Sequence, residues 1–87
     1  MLSDLEFKRI YWHSRRGMLE LDLVLVPFVE NHLRDQAADD QALFVALLEE
    51  EDTDLFHWFL RSSRPEDTGL RHIVELILKL NTEAGLK

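Results

Sequence analysis

No cysteine occurs among the 87 residues, which excludes disulfides, thiolate zinc sites and iron–sulfur clusters. Long apolar runs are missing too. The longest stretch, Leu23 to Val29, is interrupted by Pro27 and falls far short of the ~20 residues a membrane span requires. The first six residues, Met1-Leu2-Ser3-Asp4-Leu5-Glu6, carry acids where a signal or transit peptide would carry bases. Bases are scarce overall: ten Lys and Arg face seventeen Asp and Glu, a net charge of −7, which argues against general nucleic-acid binding. Nucleophile elbows, phosphate loops and dinucleotide fingerprints are absent. The four histidines, His13, His32, His57 and His72, never stand four apart, so no helical metal-binding pair forms. His13 and Ser14 are neighbours, and adjacent helical residues point apart. The sequence therefore offers no catalytic, cofactor-binding or metal-binding set.

What is present suits one small soluble domain spanning residues 1–87. Apolar residues make up 46% and charged residues 31%, a globular rather than a disordered balance. Folding at this size removes roughly 64% of the unfolded chain's surface, enough for one core. Charge is unevenly spread. Residues 1–17 carry four bases and two acids, a net of +2, and the remaining seventy carry a net of −9. A small basic face on an acidic body can orient a docking partner.

Periodicity divides the chain into five short helices. Ser3 followed by Glu6 reads as a capping box, so the first helix starts at Asp4. Phe7, Ile10, Tyr11 and Ser14 then share a face, while Trp12 falls off that stripe beside Leu5, Lys8 and Arg16. Gly17 is the stop. In residues 19–33 the alternation of Leu21, Leu23 and Leu25 permits a strand. An isolated strand has no partner elsewhere in the chain, so a helix is expected. Its apolar residues point nearly all round from Leu21 to Val29, implying a buried central element kinked at Pro27. Asp35 to Asp39 reads as a loop, with Asp39 or Asp40 capping a third helix that carries Leu43, Phe44, Leu47 and Leu48. The acidic run Glu49 to Asp52 ends it, and Asp52 caps a fourth helix reaching about Arg61. Asp67 or Thr68 caps the last, whose stripe is Leu70, Ile73, Val74, Ile77 and Leu78. Residues 81–87 are expected to fray. The fold class is an all-α bundle.

Two constellations carry polar chemistry. Arg15-Arg16-Gly17-Met18-Leu19-Glu20-Leu21-Asp22 sets two guanidinium groups, a permissive glycine and two carboxylates at the corner between the first two helices. Such a corner either presents polar heads to a partner or holds exposed local ion pairs, which contribute little. The second is Asp52-Thr53-Asp54-Leu55-Phe56-His57-Trp58-Phe59. There Leu55, Phe56, Phe59 and Leu60 face the core. Trp58, at the edge of that arc beside Asp54, is either core filling or an interface anchor.

These motifs resemble a known family. Trp12-x-Ser14-Arg15-Arg16-Gly17-Met18-x-Glu20-Leu21-Asp22 looks like the hallmark of the succinate dehydrogenase FAD assembly factors. Asp52-x-Asp54-Leu55-Phe56-x-Trp58-Phe59 looks like that family's second motif, and Pro65 occupies a family-typical place. Thr53 departs from a proline common there. The resemblance spans nearly the whole chain. It implies a five-helix, non-catalytic chaperone that binds the flavoprotein subunit of succinate dehydrogenase, and of fumarate reductase, and promotes covalent attachment of FAD to it. It implies no stably bound cofactor of its own, and a bacterial cytoplasmic member since no presequence is seen. It places partner contact at Arg16, Gly17 and Glu20. Arg15, Asp22, Trp12, Asp54 and Trp58 complete the expected partner-binding set, with Arg16 as an exposed charge-assisted donor and Glu20 either orienting Arg16 or accepting from the partner. From the residues alone, the competing reading is a generic interaction module of antitoxin-like type that binds through Trp12 and Trp58.

Overall fold

The structure is a computed structural model that describes the backbone of residues 2–85 and the side chains of residues 2–82. Helix α1 covers Asp4–Ser14. Its start is set by the capping box: Glu6 N–H donates to Ser3 Oγ (3.1 Å) and Ser3 N–H donates to Glu6 Oε1 (3.0 Å). These bonds hold the Glu6 carboxyl below its ordinary value. The last turn closes on itself, Ser14 being buried with its hydroxyl on Tyr11 O at 2.6 Å.

Helix α2, Leu19–Asn31, is the expected helix rather than a strand, and it buries Leu21, Leu25, Phe28 and Val29. It is not buried all round. Leu19 and Leu23 are 68% and 65% exposed, because α1, α4 and α5 pack around the helix and leave that side open. Pro27 lies inside α2 and removes the amide that would bond Leu23 O. At the neighbouring Val24 O, Asn81 Nδ2 donates from α5 at 2.9 Å.

A 3₁₀ turn at Leu33–Asp35 follows, and α3 spans Ala38–Leu47. The cap expected from Asp39 or Asp40 is displaced. Ala37 is the N-cap and makes no side-chain bond, and both aspartates sit in the first turn. Carboxylates there still complement the helix dipole. Helix α4 is Asp52–Phe59, capped by the Glu51 backbone rather than by Asp52. It stops short of Arg61. Arg61 takes φ 67°, and the Ser62 and Arg61 amides return to His57 O and Trp58 O. This Schellman arrangement usually carries glycine at that position. The turn swings Leu60 outward, so Leu60 is 59% exposed where the sequence expects it in the core.

Helix α5 spans Thr68–Gly85 and is capped by Asp67, whose Oδ1 accepts from Leu70 N–H at 2.9 Å. The segment expected to fray continues as helix from Asn81 to Gly85, and Leu86 and Lys87 lie outside the described residues. Helices α2 and α5 are the hub, α5 contacting α2, α3 and α4. The Phe28 and Phe44 rings meet at 5.0 Å in the core with Leu47, Leu55, Ile73 and Ile77. Close approach of α5 to α3 uses Gly69, where an added Cβ would fall 2.7 Å from Leu43 Cδ2. The five helices form one bundle of 34 × 31 × 26 Å.

Candidate functional site: the α1–α2 corner

Gly17 makes the corner. It takes φ 80°, and an added Cβ would meet nothing within 4 Å, so the constraint is the backbone conformation and not space. Arg15, two residues before it, is extended and ends α1. The chain then turns so that the Arg16 amide donates to Asp22 Oδ1 at 2.8 Å. Asp22, in the first turn of α2, thus ties the two ends of the corner together.

The Arg16 side chain is where the structure departs most from the sequence expectation. Its guanidinium is turned inward, with the side chain only 12% exposed. Nε donates to Asp52 Oδ1 at 2.7 Å and Nη1 to Leu48 O at 2.8 Å and His13 O at 3.1 Å, while Nη2 donates to Glu50 O at 2.9 Å. Four of the five guanidinium N–H donors are therefore used within the chain. The group clamps the whole α3–α4 connection, Leu48 to Asp52, against the α1–α2 corner. Asp52 serves this clamp and not the cap of α4. The two motifs meet here, thirty-six residues apart in sequence.

The other expected residues divide around this clamp. Glu20 is exposed and does not orient Arg16, a task that falls to Asp52; among the described residues it has no ion-pair partner. Trp12 is 65% exposed, packed edge-on to Tyr11 at 5.5 Å, with the Arg15 guanidinium 5.7 Å from its ring centre. Arg15 is exposed and has no carboxylate partner among the described residues. Trp58 is half-buried and packs on the core, the core-filling role, and it also lines an open cleft with Asp54, Glu50, Arg64 and Pro65. Pro65 is buried, and its carbonyl accepts Arg71 Nε at 3.1 Å.

The histidines point to separate places. His13 lies 3.9 Å from Glu49, His72 3.0 Å from Asp40, and His57 Nδ1 3.0 Å from Ser62 Oγ. Among the described residues no three histidine or carboxylate groups converge as a metal site would need. The described helices also include none long and apolar enough to cross a membrane. The hollows bordered by Arg15 and Arg16 are open to solvent. Such a corner can fix the shape of a surface.

Sequence reasoning missed two features. Two of the clamp's acceptors are the carbonyls of Leu48 and Glu50, and a backbone acceptor leaves no residue-type signal. The second is the exposure of Leu23, which lies inside the Leu21–Val29 run expected to be buried; its four-residue spacing from exposed Leu19 places the two on one ridge.

Comparison with known proteins identifies the family. The family described as "Flavinator of succinate dehydrogenase" matches residues 8–81. A protein of Pseudomonas aeruginosa named "FAD assembly factor SdhE" is 55% identical over 78 residues, covering 90% of this chain and 93% of its own length. A Serratia protein of the same name is 43% identical over 77 residues, covering 88% of each chain. The clamp residues Arg16, Leu48, Glu50 and Asp52 all fall inside the matched span. The chain belongs to the family of succinate dehydrogenase flavinators.

Proposed function

We propose that the chain is a non-catalytic assembly factor of the bacterial cytoplasm, which binds the flavoprotein subunit of succinate dehydrogenase and promotes covalent attachment of FAD to that subunit. The flavoprotein subunit of fumarate reductase is the second client. The observation that carries the reading is the match to the succinate dehydrogenase flavinator family over residues 8–81, within which the Arg16 clamp ties the Arg15–Asp22 and Asp52–Phe59 segments into one corner.

Attachment requires a histidine of the flavoprotein and the flavin methyl carbon to be held at reacting distance, and orientation alone contributes several kcal/mol to such a step. A partner that binds one domain arrangement better than others shifts the population toward it by its differential affinity. A stiff corner does this better than a flexible one, because less conformational entropy is lost on binding. Arg16 acts mainly as a positioning residue in this scheme. It spends four N–H groups inside the chain and keeps at most one for the partner. Gly17 gives the corner its direction, and exposed Glu20 is free to accept from the flavoprotein. The chain binds no FAD stably; the cofactor stays with the client.

The test uses purified apo-flavoprotein subunit, FAD and the full chain. Added in stoichiometric amounts, the chain should speed covalent attachment over the slow rate without it. Single replacements of His13, His32, His57 or His72 that remain folded should keep the acceleration. A folded histidine variant that still binds the client yet gives no acceleration would overturn the non-catalytic reading, and absence of any effect of the wild-type chain would overturn the function itself.

A further inference from the structure

The Arg16 clamp leaves a question of what the corner presents to its client, and the neighbouring surface answers it. Trp12, Leu19 and Leu23 are each about two-thirds exposed (65%, 68% and 65%). Leu19 and Leu23 stand one turn apart on α2 and form a ridge. The ridge borders a hollow reaching to Val26 and Pro27, and Arg15 lines it. Arg15 also lines the hollow on its other side, which Trp12 borders. Arg15, which borders both hollows, thereby links the Leu19–Leu23 ridge to Trp12. Solvent-facing apolar groups gathered on one side of a small protein mark a docking surface.

Charge selects the occupant. Arg15 is an exposed cation with no carboxylate partner among the described residues, on a chain whose net charge is −7. Lys8 lies one turn before Trp12 on the same side of α1. Asp22 borders the α2 hollow and Asp52 the Trp12 hollow, but Asp22 Oδ1 already accepts the Arg16 amide and Asp52 Oδ1 the Arg16 guanidinium. The face is thus apolar with a positive centre. A second copy of the chain is a poor occupant, since a two-fold contact sets this face on itself, with Arg15 near Arg15 and two acidic bodies together.

We infer that the Trp12–Arg15–Leu19–Leu23 face is the docking surface for an amphipathic, acid-bearing segment of the flavoprotein subunit. This segment lays aliphatic side chains on Leu19 and Leu23 and sets a carboxylate on the Arg15 guanidinium above Trp12. The inference rests on the assembly-factor reading. It moves the direct contact from Arg16, which is occupied, to residues that the clamp leaves free.

The experiment measures affinity for purified flavoprotein subunit, flavinylation rate and melting temperature for the full chain and its variants. Leu19→Ser/Leu23→Ser and Arg15→Glu should each weaken client binding at least tenfold, with melting close to wild type because these side chains face water. Arg15→Lys should keep most of the affinity. Leu60→Ser, which removes an apolar side chain of similar exposure away from the corner, should bind as wild type. Wild-type binding should weaken with added salt, and Arg15→Glu should flatten that dependence. If the double serine variant unfolds, the charge reversal and its salt dependence decide alone. Wild-type affinity in both the serine and the Arg15→Glu variants, with the wild-type chain still accelerating attachment, overturns the inference and leaves the function standing. An equal loss in Leu60→Ser overturns it as well. So does a wild-type dimer in sedimentation that the serine variant abolishes, since the face would then belong to a second copy. A wild-type chain that neither binds nor accelerates fails the function itself.

Discussion

A guanidinium read from sequence as an exposed hand is, in the folded chain, an internal bracket. An exposed Arg16 would contribute about 0–1 kcal/mol to folding. With its side chain 12% exposed and three backbone carbonyls and a carboxylate as acceptors, its removal strands the carbonyl of buried Leu48 and leaves half-buried Glu50 and Asp52 without their donor. Arg16→Ala is therefore expected to cost about 2–3 kcal/mol and to lower the melting temperature by about 10 °C or more. Arg16→Lys should recover only part of this, since a point charge cannot span the planar fork. Thermal melts of the two variants check this, and an Arg16→Ala chain melting within about 2 °C of wild type would show that the clamp does not bear on folding. Loss of client binding in Arg16→Ala would then have to be measured well below its melting point, where an unfolded fraction cannot imitate a lost contact.

At the scale of the elements, local chemistry was legible and tertiary choice was not. The α1 capping box, the helical nature of residues 19–31 and the Asp67 cap of α5 all follow from side chains acting within one turn. Asp39, Asp40 and Asp52 read equally well as caps, yet Asp40 meets His72 and Asp52 meets Arg16, partners brought by the fold from far along the chain. The turn after α4 was missed because Arg61 stands where glycine is usual; its guanidinium is held by both oxygens of Glu75 on α5, which offsets the strained φ. The bond with Arg61 holds the Glu75 carboxyl below its ordinary value of 4.5, as the Ser3 bonds hold that of Glu6. Folded values lying below unfolded ones give stability that is present above about pH 4.5 and lost as pH falls through the lowered folded values. Melting temperature should fall between pH 6 and pH 3, and Glu75→Gln should reduce the steepness of that fall. An unchanged profile in Glu75→Gln would show that the exposed ion pair contributes nothing.

For the whole molecule, size and charge bounded the answer before any motif was weighed. A chain of 87 residues with a net charge of −7 has one core, and its basic residues are concentrated at one end. That end became the corner. Its membership in the site was legible in the motif, but its division of labour was not, because burial of Arg16 and exposure of Arg15 depend on which side of Gly17 the chain turns. The clamp also acts as a ruler. One rigid fork touches acceptors at residues 48, 50 and 52, so the α3–α4 connection is gauged to a single length. Loops between helices ordinarily accept an added residue at small cost. Here one glycine inserted between Glu49 and Glu50 would put the acceptors out of step with the donors, and should lower the melting temperature about as far as Arg16→Ala. The same insertion between Ser62 and Ser63, where no such gauge operates, should be tolerated. The α3–α4 connection is a loop expected to accept changed residues but not a changed length.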